Sequence, residues 1–314
     1  MRKPYLLDPN FVPAKKSKKK IANLVVYYIV GAVISLFFIL PLLYMFAAST
    51  KSDELIAIHN TSRSIMMFIP DFSNIAHLFD NYAEVITQYD IWKYALNSLG
   101  YASIIIVLNI IVNGLAGYVL AKFNFPGKGF FSFIIIFLIV VPVETSILPL
   151  YTIVRGLFGL KGTVAPILAV IVPSIISVFN IFLFTQFFAS IPKEFEEAMH
   201  IDGANRIRMF FDLILPLSLP IVATTAVFTF IGVWNDYLWP SMVLPNTGYE
   251  TWSLLPIQAG LESIKATVTS DPTNLNQTGQ IMASLVITSL PVFIIYIAAQ
   301  KYIVKGFGTA GLKM

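Results

Sequence analysis

Long apolar runs, each long enough to cross a bilayer, leave this chain few folds to choose from. The first extends from Ile21 to about Ala48 without a single charged residue. Others cover about 93–120, 130–153, 163–189, 213–239 and 280–299. A helical span needs about 20 apolar residues, and an isolated strand cannot satisfy its backbone groups in lipid. The fold class is therefore all-α and polytopic, with about six transmembrane helices. Composition agrees, since 57% of residues are hydrophobic and only 12% charged, about half the charged share of soluble domains. The first run far exceeds the roughly 7–15-residue apolar core of a cleaved signal, so it reads as a retained span. Residues 1–20, ending in KKSKKK, make a basic N-terminal segment. The six-span domain then covers 21–303, and 304–314 form a tail.

Six spans put both termini on one side, and the basic residues say which. Of the 21 Lys and Arg, 15 fall on the N-terminal side, in the 1–20 segment, the 122–129 turn, the 191–212 loop and residues 301–314. Only Lys51, Arg63, Lys93, Arg155, Lys161 and Lys265 fall opposite. The positive-inside rule then makes both termini cytoplasmic. The net charge of +4 follows from this topology rather than from nucleic-acid binding. There is no Cys for a thiolate site, and no two of His59, His77 and His200 stand at metal-ligand spacing, so no metal or cofactor is expected. Pro142, Pro149, Pro166 and Pro173 fall in spans three and four, either as ordinary kinks or as hinges along a pathway.

The stretch Ile191–Pro220, IPKEFEEAMHIDGANRIRMFFDLILPLSLP, is the densest charged interruption between two spans. Pro192 suits the first turn of a helix, and Glu194, Glu196 and Glu197 suit its positive end. Gly203 suits a left-handed stop. The spacing predicts a helix over 192–202, about 16 Å long, with Phe195, Ala198, Met199 and Asp202 on one face. A helix lying on lipid headgroups would carry Lys and Arg on its polar face. This one is acidic, so it points to a protein partner, with Arg206 and Arg208 following it.

Glu197-Ala198-Met199, three residues, Gly203, nine residues, then Leu213-Ile214-Leu215-Pro216 resembles the EAA loop (here 191–216) of ABC-importer permeases. Met199 stands where the family pattern has a second Ala, and Leu213 where it has Ile. YALNSL (94–99), AGYVLA (116–121) with FNFPG (123–127), WNDYL (234–238), and QKYIVKG (300–306) with Thr309-Ala310-Gly311 are similar to carbohydrate-uptake permeases of the maltose-permease MalG type. The resemblance covers nearly the whole chain from about residue 22. It implies a type I permease fold in a bacterial cytoplasmic (inner) membrane. It also implies a binding-protein-dependent importer: a cytoplasmic ATPase dimer, a second six-span permease forming a heterodimer, an extracytoplasmic solute-binding protein, and a sugar or oligosaccharide substrate. Phe195, Glu197, Ala198, Met199, Asp202, Gly203 and Arg206 would then meet the ATPase and couple it to the spans. Lys305, Gly306 and Gly311 match the part of the tail that reaches into the ATPase dimer. The residues add an independent point: no G-x-x-x-x-G-K-[S/T] phosphate loop occurs in the chain, so the subunit is not an ATP-hydrolysing enzyme and energy must come from elsewhere.

Polar residues inside spans are functional candidates by default. They are Asn97, Asn109, Asn113, Glu144, Asn180, Gln186, Asn235 and Asp236. A substrate path through Asn109, Asn113, Glu144, Trp234, Asn235, Asp236 and Tyr237 competes with two plainer readings. The amides can serve as interhelical hydrogen bonds, and Trp234, Tyr237 and Trp239 as an interfacial aromatic belt. Two other classes of function stay open at this point. One is an ion-driven secondary transporter, although no convincing internal repeat is visible. The other is a membrane scaffold whose loop merely recruits a partner.

Overall fold

The computed structural model describes residues 18–73, 75, 78–159, 164–244, 254–271 and 277–311. Every regular element among them is a helix. α1 (Lys18–Ala48), α4 (Ile91–Lys122) and α15 (Gln277–Gly311) are long single helices, and α7 (Val164–Ile175) continues into α8 (Val178–Ala189) across a break at 176–177. These four spans are long and apolar enough to cross a membrane, and two bent pairs bring the number to six. Basic residues 1–17 lie outside the described residues, and α1 starts at Lys18.

The bent pairs are where the chain departs from the simple reading. The apolar run over 130–153 predicts one kinked span. Instead α5 (Lys128–Val140) and α6 (Ile147–Phe158) meet at 100° across the turn Val143–Ser146. Val141 and Pro142 are extended there, because a residue before proline is pushed out of the helical region. Span five begins earlier than the expected Leu213. α10 (Arg206–Met209) passes through a π turn (Phe210–Ile214) into α11 (Leu215–Leu217), then turns by 84° into α12 (Leu219–Asn235). Pro220 lacks the N–H that would continue the helix, and the Ser218 hydroxyl donates to the Ile214 carbonyl at 2.6 Å.

α4 is the central post, packed against α7, α8, α12 and α14 (Ile257–Ser270). It approaches α8 closely at Gly117. A Cβ there would lie 2.6 Å from the Phe184 Cβ and 3.0 Å from the Thr185 nitrogen.

At one end of the bundle, α2 (Asp53–Thr61) and α3 (Asp80–Thr87) supply the short helices expected in the 49–92 loop. They are tied to the start of α15. The Asp53 carboxylate accepts the N–H groups of Thr278 and Gly279 at 2.9 Å each, supplying partners that a helix's first turn lacks. The Asn81 amide donates to the Ser49 and Lys51 carbonyls, both at 3.0 Å. Burial pushes the Lys51 amine below its usual pKa, with Asp71 opposing that shift. The 122–129 turn and α9 (Glu194–Ile201) share the opposite end, joined by an ion pair described below. α15 continues as helix to Gly311, into the segment 304–314 expected as the tail.

Candidate functional site

The loop between α8 and α12 is held at both legs by one apolar cluster. Ile191 enters it before α9, and Phe210 and Ile214 enter it afterwards, beside Tyr118, Phe184 and Phe188. α9 itself is shorter than the expected 192–202. Pro192 belongs to the turn before it, and the Lys193 carbonyl accepts the N–H groups of Glu196 and Glu197 at 2.9 and 3.0 Å. At the far end Gly203 has φ +78°. Its N–H donates to His200, and that of Ala204 donates to Met199, at 3.0 Å each. These are the two bonds of a Schellman stop. A Cβ on Gly203 would meet nothing within 4 Å, so only the backbone conformation asks for glycine.

The structure separates glutamates that the sequence groups together as one acidic face. Glu196 turns inward: its Oε1 lies 2.8 Å from Lys122 Nζ, and the two side chains are only 10% and 5% exposed. Lys122 also donates to the Ile191 carbonyl at 2.6 Å. The Arg206 side chain is 59% exposed and stands 3.9 Å from Glu196 Oε2, with its guanidinium 5.2 Å from the Phe123 ring centre. Thus α9 is fastened to the last residue of α4 by a nearly dry ion pair.

The outward side is different in kind. Phe195 is 48% exposed, Ile201 86% and Ile207 67%, with Glu197, Ala198, Asp202 and Gly203 exposed among them. Acidic residues thus lie among the exposed apolar positions of α9, while Ile207 is flanked by exposed Arg206 and Arg208. Met199, expected on one face with Phe195, Ala198 and Asp202, is half-buried while those three are exposed. Sequence reasoning missed Glu196, Lys122, Ile201 and Ile207. A basic residue closing an apolar span was the one available hint for Lys122.

Span four's break at 176–177 is filled by side chains of α4. The Asn109 and Asn113 amides donate to the Ile175 carbonyl at 2.9 and 2.8 Å, and the Ser177 N–H donates to Asn113 Oδ1 at 3.0 Å. Asn180 donates to Asn109 Oδ1 at 2.8 Å and to Thr229 Oγ1 at 3.0 Å. These amides take the place of the backbone bonds that the break forfeits. Beside them opens a cavity of about 290 Å³, whose wall includes Asn109, Ser174, Ser177, Asn180, Thr229 and Asp236, with Phe179 and Phe228.

Of the residues expected along a substrate path, Asn109 and Asp236 reach this cavity, and Asn113 stands behind it. Trp234 does not. It is fully buried, stacked on Phe230, and donates its indole N–H to the Thr288 carbonyl at 2.9 Å. Trp239 is buried too and donates to Ala169, so neither ring belongs to a belt or a sugar platform. Asn235 and Tyr237 are exposed next to them, and Glu144 is exposed in the turn between α5 and α6. Lys305, Gly306 and Gly311 lie in the last turns of α15, where the backbone alone is described.

A family model for the binding-protein-dependent transport system inner membrane component matches residues 113–308. This chain belongs to that family. The match runs through both the α9 loop and most of the cavity wall. The permease is 31% identical to the arabinooligosaccharides transport system permease protein of Halalkalibacterium halodurans, over 90% of this chain and 94% of that relative. It is 32% identical to the sn-glycerol-3-phosphate transport system permease protein of Salmonella typhi, over 88% and 92% of the two chains. In fold it matches a chain of a bacterial ABC transporter involved in the import of the acidic polysaccharide alginate. That match has a TM-score of 0.73 and 24% identity, covering 93% of this chain and 99% of that one. The resemblance to carbohydrate-uptake ABC permeases is therefore sound at the level of family and fold, and the relatives are permease subunits rather than enzymes.

Proposed function

We propose that this permease forms one half of a saccharide pathway in a bacterial cytoplasmic membrane and is driven by ATP hydrolysed on partner subunits. A cytoplasmic ATPase dimer docks on the outward side of α9, around Phe195, Glu197, Ala198, Asp202 and Gly203. A second six-span permease completes the pathway, and an extracytoplasmic binding protein delivers the solute to the end formed by α2, α3 and α14. Both termini face the cytoplasm in this reading, which the excess of basic residues on their side supports.

The observation that carries this reading is the two-sidedness of α9. Its outer side offers apolar residues to a partner, while its inner side is fixed to α4 through Glu196 and Lys122 at 2.8 Å. Movement of a partner against the outer side would pass into α4 through that pair, and into α12 through Phe210 and Ile214. The test is purification of the full chain in mild detergent from its own host. Co-purification of an ATPase and a second permease, with uptake lost on ATP depletion, is the expected result. Uptake that follows the proton gradient and survives ATP depletion would instead make it a secondary transporter.

A further inference from the structure

We infer that the cavity beside the break in span four is a subsite for uncharged saccharides, with Asp236 as acceptor for their hydroxyl groups. This rests on the import function proposed above and decides a matter which that function leaves open: the charge of the cargo.

The wall is drawn from α4, from the joint of α7 and α8, and from α12 with the residue that follows it. The segments 94–121, 164–192 and 209–264 supply all of it, and none of them contains a Lys or Arg. Among the described residues, Asp236 is the one ionisable group on the wall. Its Oδ1 accepts the Trp239 N–H at 3.3 Å, which holds the carboxylate at the end of α12. From the described residues of this chain, a phosphate or uronate entering here would meet a carboxylate and no cation, and like charge at close range is repulsive. A neutral sugar meets what its hydroxyls need: amides, hydroxyls and a carboxylate able to accept more than one donor. Phe179 and Phe228, 5.9 Å apart and edge-to-face, offer apolar surface to the C–H faces of a ring. About 290 Å³ is at the lower limit of ligand pockets, which run roughly 300–1,000 Å³, so the space suits a sugar unit rather than a long chain.

The test uses the chain's lack of cysteine. Gly232 lines the cavity and a Cβ there meets nothing within 4 Å, so Gly232→Cys places one thiol a helical turn before Asp236. In the complete importer, the rate of modification of this chain is compared for cationic and anionic methanethiosulfonates of similar size, each normalised to a free thiol. The cationic reagent is expected to react roughly tenfold faster or more, and Asp236→Asn to bring the two within about twofold. Equal rates, a preference for the anion, or no reaction with either overturns the subsite.

Protection is read in the same assay with neutral disaccharides, sn-glycerol 3-phosphate and digalacturonate as probes. At least one neutral probe should slow modification about threefold or more, with neither anion doing so. Protection by an anion, or by none of the probes, counts against the proposal. Co-purification of the ATPase is a separate readout, so this inference and the import function can fail independently.

Discussion

Lys122→Met removes the cation from the ion pair that fastens α9 to α4, and it should loosen the loop without unfolding the bundle. Breaking a buried pair from one side costs about 3–5 kcal/mol, because the remaining charge is left unpaired. Glu196 would keep only Arg206, at 3.9 Å and 59% exposed, and an exposed partner of that kind returns about 0–1 kcal/mol. The net loss is then about 3 kcal/mol, or roughly 100-fold in the population of the fastened loop. Native-state hydrogen exchange on the assembled importer reads this directly, as lost protection of the amides in 194–204. Protection inside α4 and α15 should hardly change. Changing both partners, Lys122→Met with Glu196→Met, should recover at least about tenfold of the lost protection, since no charge is then stranded. Unchanged protection in Lys122→Met would refute the idea that this pair anchors the loop. A double variant worse than the single one would refute the unpaired charge as the cause.

Gly203→Asp forces a side chain onto φ +78°, at about 1–2 kcal/mol. The complex should still assemble but hydrolyse ATP with little uptake, and Gly203→Asn should be milder because Asn tolerates that conformation. Glu197→Lys, which reverses charge on the outward rim, should likewise lower uptake per ATP hydrolysed; wild-type ratios in both Gly203→Asp and Glu197→Lys would dismiss the coupling role. Gly117→Leu drives a side chain into Phe184 and Thr185, where even a Cβ would sit 2.6 Å from its neighbour. A fall in Tm of several degrees is expected, from the roughly 1–3 kcal/mol of overpacking. Asp53→Ala removes the acceptor for Thr278 and Gly279, costing about 1 kcal/mol. Faster exchange confined to 53–61 and 277–280 is the result to look for.

Much of this architecture is legible in the sequence because apolar length is a local, additive signal. Spans one, two, four and six appear within a few residues of where the apolar runs put them. Breaks are harder to read. Pro142 and Pro220 announce some irregularity, but turns of 100° and 84° depend on how the freed backbone is satisfied, and those partners are distant in sequence. The amides at Asn109 and Asn113 show the same limit, since their bonds run to Ile175 and Ser177, more than 60 residues away. In the loop, the motif from Glu197 to Gly203 is visible at once. The inward turn of Glu196 is not. Glu196 and Glu197 are alike in composition and differ only by the helical rotation between neighbours, which decides nothing until Lys122 is brought to one side of α9. Trp234 misleads for a related reason, because an aromatic residue at a span's end suits a belt, a sugar platform or a core equally well until its indole partner, Thr288, is known.

The central claim is that the outer side of α9 carries an ATPase, and site-specific photo-cross-linking tests it most directly. A photoreactive amino acid placed singly at Phe195, Ala198 and Ile201 in the assembled importer should cross-link to the ATPase subunit. The same residue at Phe188, buried in the cluster beneath the loop, should not. Cross-links from the exposed positions to lipid, or to a protein that binds no ATP, would contradict the account.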